Sequence, residues 1–180
     1  MTQRLAFIGL LLCGGCILQG GARAGASMAP HTATTASWGG QLSAAYEDKL
    51  HAGIELEGRA TQGGGSTFGS GLQLGYFLGS DGSAVRLGAH ADTGLAFGWS
   101  SAPAWYAGVT AEVPWRLASP SPLGERNRNF RFVGTAPWLV PFMRYRFYQV
   151  GNSAGPGGRL RQHDVSLGLA LRLSYTTDLL

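Results

Sequence analysis

The chain has 180 residues, a formal net charge of +4, 13% charged residues and 44% hydrophobic ones. Its 29 glycines show no three-residue period, which excludes collagen, and the apolar content excludes a disordered tail. The single uncharged apolar run, Leu5–Leu18, is shorter than the roughly 20 residues of a spanning helix, so a bundle of transmembrane helices is excluded too. Basic residues are scattered, and only Arg126, Arg128 and Arg131 cluster. A nucleic-acid binder needs a basic stripe on one face, so no nucleic-acid partner is expected.

Residues 1–26 read as an export signal peptide. Arg4 precedes the apolar run, and Ala22-Arg23-Ala24 and Ala24-Gly25-Ala26 offer small-x-small exits, the pattern that the export peptidase cuts. Cleavage is expected after Ala24 or Ala26. Both cysteines, Cys13 and Cys16, lie in this segment, so no disulfide framework is expected. A rival reading makes Cys16, behind Gly14-Gly15, the lipidated first residue of a lipoprotein. Residues 27–36 are expected to be a short linker.

From residue 37 the pattern has period two. Strands are predicted at 37–47, with Trp38, Leu42, Ala44 and Tyr46 on the apolar face, and at 51–61, with Ala52, Ile54 and Leu56. Further strands follow at 67–78 (Phe68, Leu72, Leu74, Tyr76, Leu78) and 85–99 (Val85, Leu87, Ala89, Ala91, Leu95, Phe97, Trp99). The next predicted strand is 105–117, with Trp105, Val109, Ala111, Val113, Trp115 and Leu117, and the last is 165–175, with Val165, Leu167, Leu169, Leu171, Leu173 and Tyr175. Successive strand side chains point to opposite sides, so each segment has one apolar and one polar face. Gly63-Gly64-Gly65, Asp81-Gly82, Ser100–Pro103 and Gly134–Pro137 supply turn chemistry. Residues 127–149 hold two strands if Gly134–Pro137 turns, which brings the count to eight. Pro114 and Pro141 fall inside predicted strands and are expected to sit at bulges. With eight strands, the long spacers 118–126 and 150–162 leave the same end of the sheet and the short turns leave the other. That is the asymmetry of outer-membrane barrels.

Alternation alone does not separate a membrane barrel from a soluble lipocalin-like one. The apolar faces carry hardly a charge, and acids and bases collect together on the opposite faces. Trp99, Trp105 and Trp138 are expected near the short turns, with Tyr76, Trp115, Phe147 and Tyr148 toward the other end. Two aromatic belts around an apolar band fit a membrane–water boundary. The closing run His163–Tyr175 resembles the last strand of small OmpA/OmpX-type barrels, and the likeness covers residues 37–176. It departs from them in placing Thr176–Leu180 after the terminal aromatic. The resemblance implies an all-β fold, an up-and-down antiparallel transmembrane β-barrel of eight strands over 37–176, followed by a tail at 177–180. It also implies location in the cell outer membrane of a Gram-negative envelope, contact with outer-membrane lipid, and insertion by the barrel-insertion machinery.

His163, Asp164 and Ser166 are suggestive, but His163 and Ser166 lie on opposite faces of a strand and do not meet within it. His90 and Asp92 share the polar face with Arg86, yet a metal needs three or four converging ligands. A neutralising network of Glu55, Glu57, Arg59, Arg86, Asp92, Glu112, Arg116 and Arg172, with Arg144 and Arg146 as further members, accounts for these residues better. No catalytic, cofactor-binding or metal residue is assigned, and no cofactor is expected. The function expected is a structural or surface-interaction barrel, not an enzyme, with a plugged polar interior. The alternatives are an outer-membrane enzyme acting on lipid or peptide and a soluble carrier of an apolar ligand.

Overall fold

The structure is a computed structural model that describes residues 16–28, 35–46, 49–60, 66–79, 83–98, 103–119, 126–127, 130–150 and 161–179. All regular structure in it is β. Six strands follow in order: β1 (Cys16–Met28), β2 (Thr35–Tyr46), β3 (Leu50–Ala60), β4 (Ser66–Leu78), β5 (Leu87–Phe97) and β6 (Ala104–Glu112). The two-residue β7 (Trp115–Arg116) continues the line of β6, and β8 (Arg126–Asn127) pairs beside the long β9 (Phe130–Val150). β10 (Arg161–Leu179) ends the chain. Each strand pairs antiparallel with its sequence neighbour, β6 and β7 pair with β9, and β10 returns to pair with β1. The sheet is therefore closed, with an eight-strand wall. Closure leaves no edge whose backbone N–H and C=O groups lack a partner, which a sheet in hydrocarbon requires.

The eighth strand is not the one expected. Residues 130–149 form part of a single strand, because Gly134–Pro137 runs straight on, paired with Thr176–Leu173 of β10. The local turn signal loses to this ladder. Pro137 and Pro141 are accommodated because both turn toward β6–β7: their carbonyls accept from Leu117 N at 2.9 Å and Val113 N at 3.0 Å. The missing N–H groups fall on that side, where Pro114 already interrupts the wall between Glu112 and Trp115. Pro114 thus breaks the ladder as expected, whereas Pro141 holds its register with Leu169, and the shift lies at Thr176/Thr177.

The count of eight is restored by β1. Ile17–Met28 pairs with β10 and Cys16–Ser27 with β2, so residues 16–26, assigned above to the leader, form barrel wall. The domain boundaries move accordingly. Ser27 and Met28 belong to β1, Thr35 and Ala36 to β2, and Thr177–Leu179 to β10 rather than to a linker or tail. The loop parity moves as well. The long spacer before β9 leaves the end that holds Cys16 and Leu179, and the one between β9 and β10 leaves the opposite end, so the expected asymmetry does not hold.

The faces follow the predicted alternation on β2 to β6 and β10. Leu72 is 64% exposed and Leu171 60%, on the outside, while Arg144 and Arg146 are each 2% exposed, on the inside. Trp38, Phe68, Phe97 and Trp105 stand on the outside near the strand ends opposite the chain termini, and Tyr76, Trp115 and Tyr175 stand near the other end. Two aromatics expected in these belts point inward instead. Trp138 and Tyr148 are buried, because one unbroken β9 puts its even-numbered residues in the lumen. The same continuity carries Phe147 and Tyr148 to the end where Trp105 lies and Trp138 to the end where Trp115 lies. Trp99 is outside the described residues.

Candidate functional site: the charged lumen

The inward residues of each strand are spaced by two, so successive polar positions stack along the lumen. β3 contributes His51, Glu55, Glu57 and Arg59, β5 His90 and Asp92, β6 Tyr106 and Glu112, and β9 Arg144, Arg146 and Tyr148, all buried. β10 adds Asp164, Ser166 and Arg172, and β1 adds Gln19, Ser27 and the side chain of Arg23. Among the described residues six buried arginines (Arg23, Arg59, Arg86, Arg144, Arg146, Arg172) face five buried carboxylates.

These groups sort into two clusters. Glu57 is the hub of the first, within 2.9 Å of Arg23, 2.6 Å of Arg59, 2.6 Å of Arg144 and 3.1 Å of Arg146. Glu55 accepts from the Tyr106 hydroxyl at 3.2 Å and forms ion pairs with Arg23 at 2.8 Å and with Arg146. Asp92 accepts from Arg146 Nε at 2.5 Å, and Asp164 from Arg59 at 2.5 Å and from Ser27. The Arg146 guanidinium also lies 4.3 Å over the Tyr106 ring. The tyrosine crosses the lumen because Gly71 and Gly94 leave space for its hydroxyl, which a Cβ at either position would meet.

The second cluster lies toward the chain termini. Glu112 takes two bonds of 2.8 Å from Arg172 and lies 2.9 Å from Nε2 of His90, whose other ring nitrogen meets His51. Arg172 in turn lies against the side-chain amide of Gln41. Beyond it, Arg86 and Arg116 lie 5.3 and 5.9 Å over the Trp138 ring, and Trp138 Nε1 donates to Ser174 at 3.0 Å. Removing charges from water is costly unless each is paired and hydrogen-bonded. The pairing spans β1, β3, β5, β6, β9 and β10, so it also ties opposite walls together.

The network expected from sequence is thus present and larger than expected. Arg144 and Arg146 are full members. Arg116 is half-buried at the rim of the second cluster. Arg23, which bridges Glu55 and Glu57, was missed because it was assigned to the leader. Its signal was nonetheless in the sequence: Gln19, Arg23 and Ser27 alternate with Leu18, Ala22, Ala24, Ala26 and Met28. His51, Tyr106 and Tyr148 were also missed, since single neutral residues on a polar face carry no charge signal.

The suggestive constellations separate. His163 is exposed on the outer face, its Nδ1 2.6 Å from the Tyr145 hydroxyl, while Asp164 and Ser166 are buried in the lumen 3.3 Å apart. His90 and Asp92 do share the lumen, bound to Glu112 and Arg146 respectively. Among the described residues no three His, Cys, Asp or Glu side chains converge as a metal cage. A charged lumen inside an apolar wall is the reverse of what a soluble carrier of an apolar ligand needs, and that alternative is overturned.

The fold is that of the small eight-stranded outer-membrane barrels. The chain resembles the solved structure of Neisserial surface protein A, with a TM-score of 0.53 and 15% identity over 87% of this chain and 95% of that one. A second solved structure, the outer membrane protein OprG from Pseudomonas aeruginosa, aligns with a TM-score of 0.41 and 12% identity over 92% of this barrel and 96% of that chain. No family model matches the barrel, and no curated protein matches it in sequence.

Proposed function

We propose that the protein is an outer-membrane barrel of structural or surface-interaction type, not an enzyme, with a lumen closed by ion pairs. One observation carries this reading: the wall is apolar outside, while the inside is filled by arginines and carboxylates that bond one another across the barrel. An eight-strand barrel has an interior just wide enough for side chains to fill, and three pockets lined by described residues of this lumen each have room for about one water molecule. With the lumen so occupied, function rests with the segments beyond the strand ends and with the lipid-facing wall. The likeness of the fold to Neisserial surface protein A supports the outer-membrane location.

The test has two parts. Fractionated cells should yield the protein in the outer membrane, extractable only by detergent, with heat-modifiable migration. In planar bilayers it should give no steady conductance, and stable channels of nanosiemens size would overturn the closed lumen. Export through a leader belongs to the same proposal, with its end placed upstream of Ile17 so that β1 and Arg23 are retained. A start at lipid-modified Cys16 keeps β1 whole. N-terminal sequencing of the folded, exported protein checks this, and a start at Gly25 or Ser27 would overturn it.

A further inference from the structure

We propose that the chamber between the two ion-pair clusters is a binding site for one halide-sized anion, held by Arg23 and Gln73. The chamber lies inside the wall between Arg23 on one side and His90, Glu112 and Arg172 on the other, with Gln73 and Thr110 also lining it. Besides His90 Nε2, which lies 2.9 Å from the Glu112 carboxylate, two of its donors are buried without a hydrogen-bond partner among the described residues: Arg23 Nε and Gln73 Nε2. Both side chains are deeply buried, each 7% exposed. Arg23 is anchored so that Nη1 and Nη2 serve Glu55 and Glu57, and this leaves the Nε–H for the chamber. A buried N–H without an acceptor costs free energy comparable to a lost hydrogen bond, and here two converge on one space.

The chemistry selects an anion over a neutral acceptor. Glu112 is the one carboxylate among the lining residues, and it already accepts from both Arg172 nitrogens, with His90 Nε2 2.9 Å away. A water molecule would satisfy the two donors but would bring two O–H groups needing acceptors of their own. A halide accepts from both and donates nothing. It also carries the charge that the lumen lacks, since six buried arginines stand against five buried carboxylates among the described residues. The room, about one water-sized sphere, excludes phosphate or a carboxylic acid and leaves a single monatomic anion, chloride fitting better than the larger bromide. The site goes beyond the proposed function and depends on neither the surface role nor the membrane location.

The full chain, folded in detergent micelles in gluconate salt, is titrated with chloride or bromide at constant ionic strength while its thermal midpoint is followed. The midpoint should rise with halide and saturate. Gln73→Leu should lose that rise. Gln73→Glu should lose it too while melting no lower than the parent in gluconate, because its carboxylate takes the place beside Arg23. If Gln73→Leu does not fold, Gln73→Glu carries the test alone. The competing arrangement has Gln73 donating to Asp92, its cross-strand neighbour, and a barrel built that way is indifferent to halide. Equal midpoints of the parent in gluconate and chloride would overturn the proposal, as would a halide-dependent rise that both variants keep.

Discussion

The two faces of this barrel belong to the same strands, yet they are stabilised in opposite ways. On the outer face Leu, Val, Ala and aromatic side chains meet a uniform apolar surrounding, and only depth along the strand distinguishes one position from another. In the lumen each ion pair depends on a named partner, often on the far wall: Glu57 of β3 meets arginines of β1, β3 and β9. Substitutions should therefore be judged by depth on the outside and by pairing on the inside.

The largest effect is expected at the hub of the lumen. Glu57→Gln leaves four guanidinium groups short of a carboxylate, and breaking a buried pair costs about 3–5 kcal/mol. Urea unfolding of barrels refolded into lipid vesicles should show this as a large loss of midpoint or as failure to fold. A loss no greater than that of an outward Leu→Ala change would mean that the lumen is as tolerant as the wall. On the outer face Ala111→Arg or Ala91→Arg, mid-strand, should cost about 2–4 kcal/mol in lipid, against about 0–1 kcal/mol for Leu78→Arg or Leu117→Arg at the strand ends. Equal folding efficiencies for the four variants would break the claim that depth alone matters there.

A pair of glycines sharpens the contrast on a smaller scale. At Gly71 a methyl group would meet the Tyr106 hydroxyl and the Thr93 carbonyl inside the lumen. Gly71→Ala should cost about 1–3 kcal/mol, the usual range for overpacking. At Gly58, outside, the methyl would lie 2.7 Å from the Trp38 indole, which is half exposed and free to swing away. Gly58→Ala should cost under about 1 kcal/mol, and calorimetry of both variants in the same detergent decides between them. The smallest effect is expected at the exposed Tyr145–His163 bond of 2.6 Å. Tyr145→Phe should cost at most about 1 kcal/mol in the same urea assay.

The alternation of β2 to β6 and β10 was readable because the pleat is local: neighbours in sequence take opposite faces whatever they pair with. For the same reason the mixed charges could be assigned to one lumen before any contact was known. The errors lie where local and long-range signals compete. Gly134–Pro137 has the composition of a turn, yet it is held extended by Leu173–Thr176. Ala22–Ala26 has the composition of a peptidase site, yet it is wall between β2 and β10. Trp138 and Tyr148 resemble belt residues, and an even-numbered position on an unbroken β9 turns them inward.

By itself the sequence determined that the chain is β, that its strands have one apolar and one charged face, and that the charges would need one another. These are properties of single strands, set by side-chain period and by the cost of leaving charges unpaired. Only the tertiary structure decided that Cys16–Met28 closes the ring, that β9 passes through two prolines without turning, and that Arg23 reaches across to Glu55 and Glu57. Each of those choices depends on pairing between residues far apart in the chain. A ring has to close, and whichever segment supplies its last strand brings its inward side chains into the lumen with it.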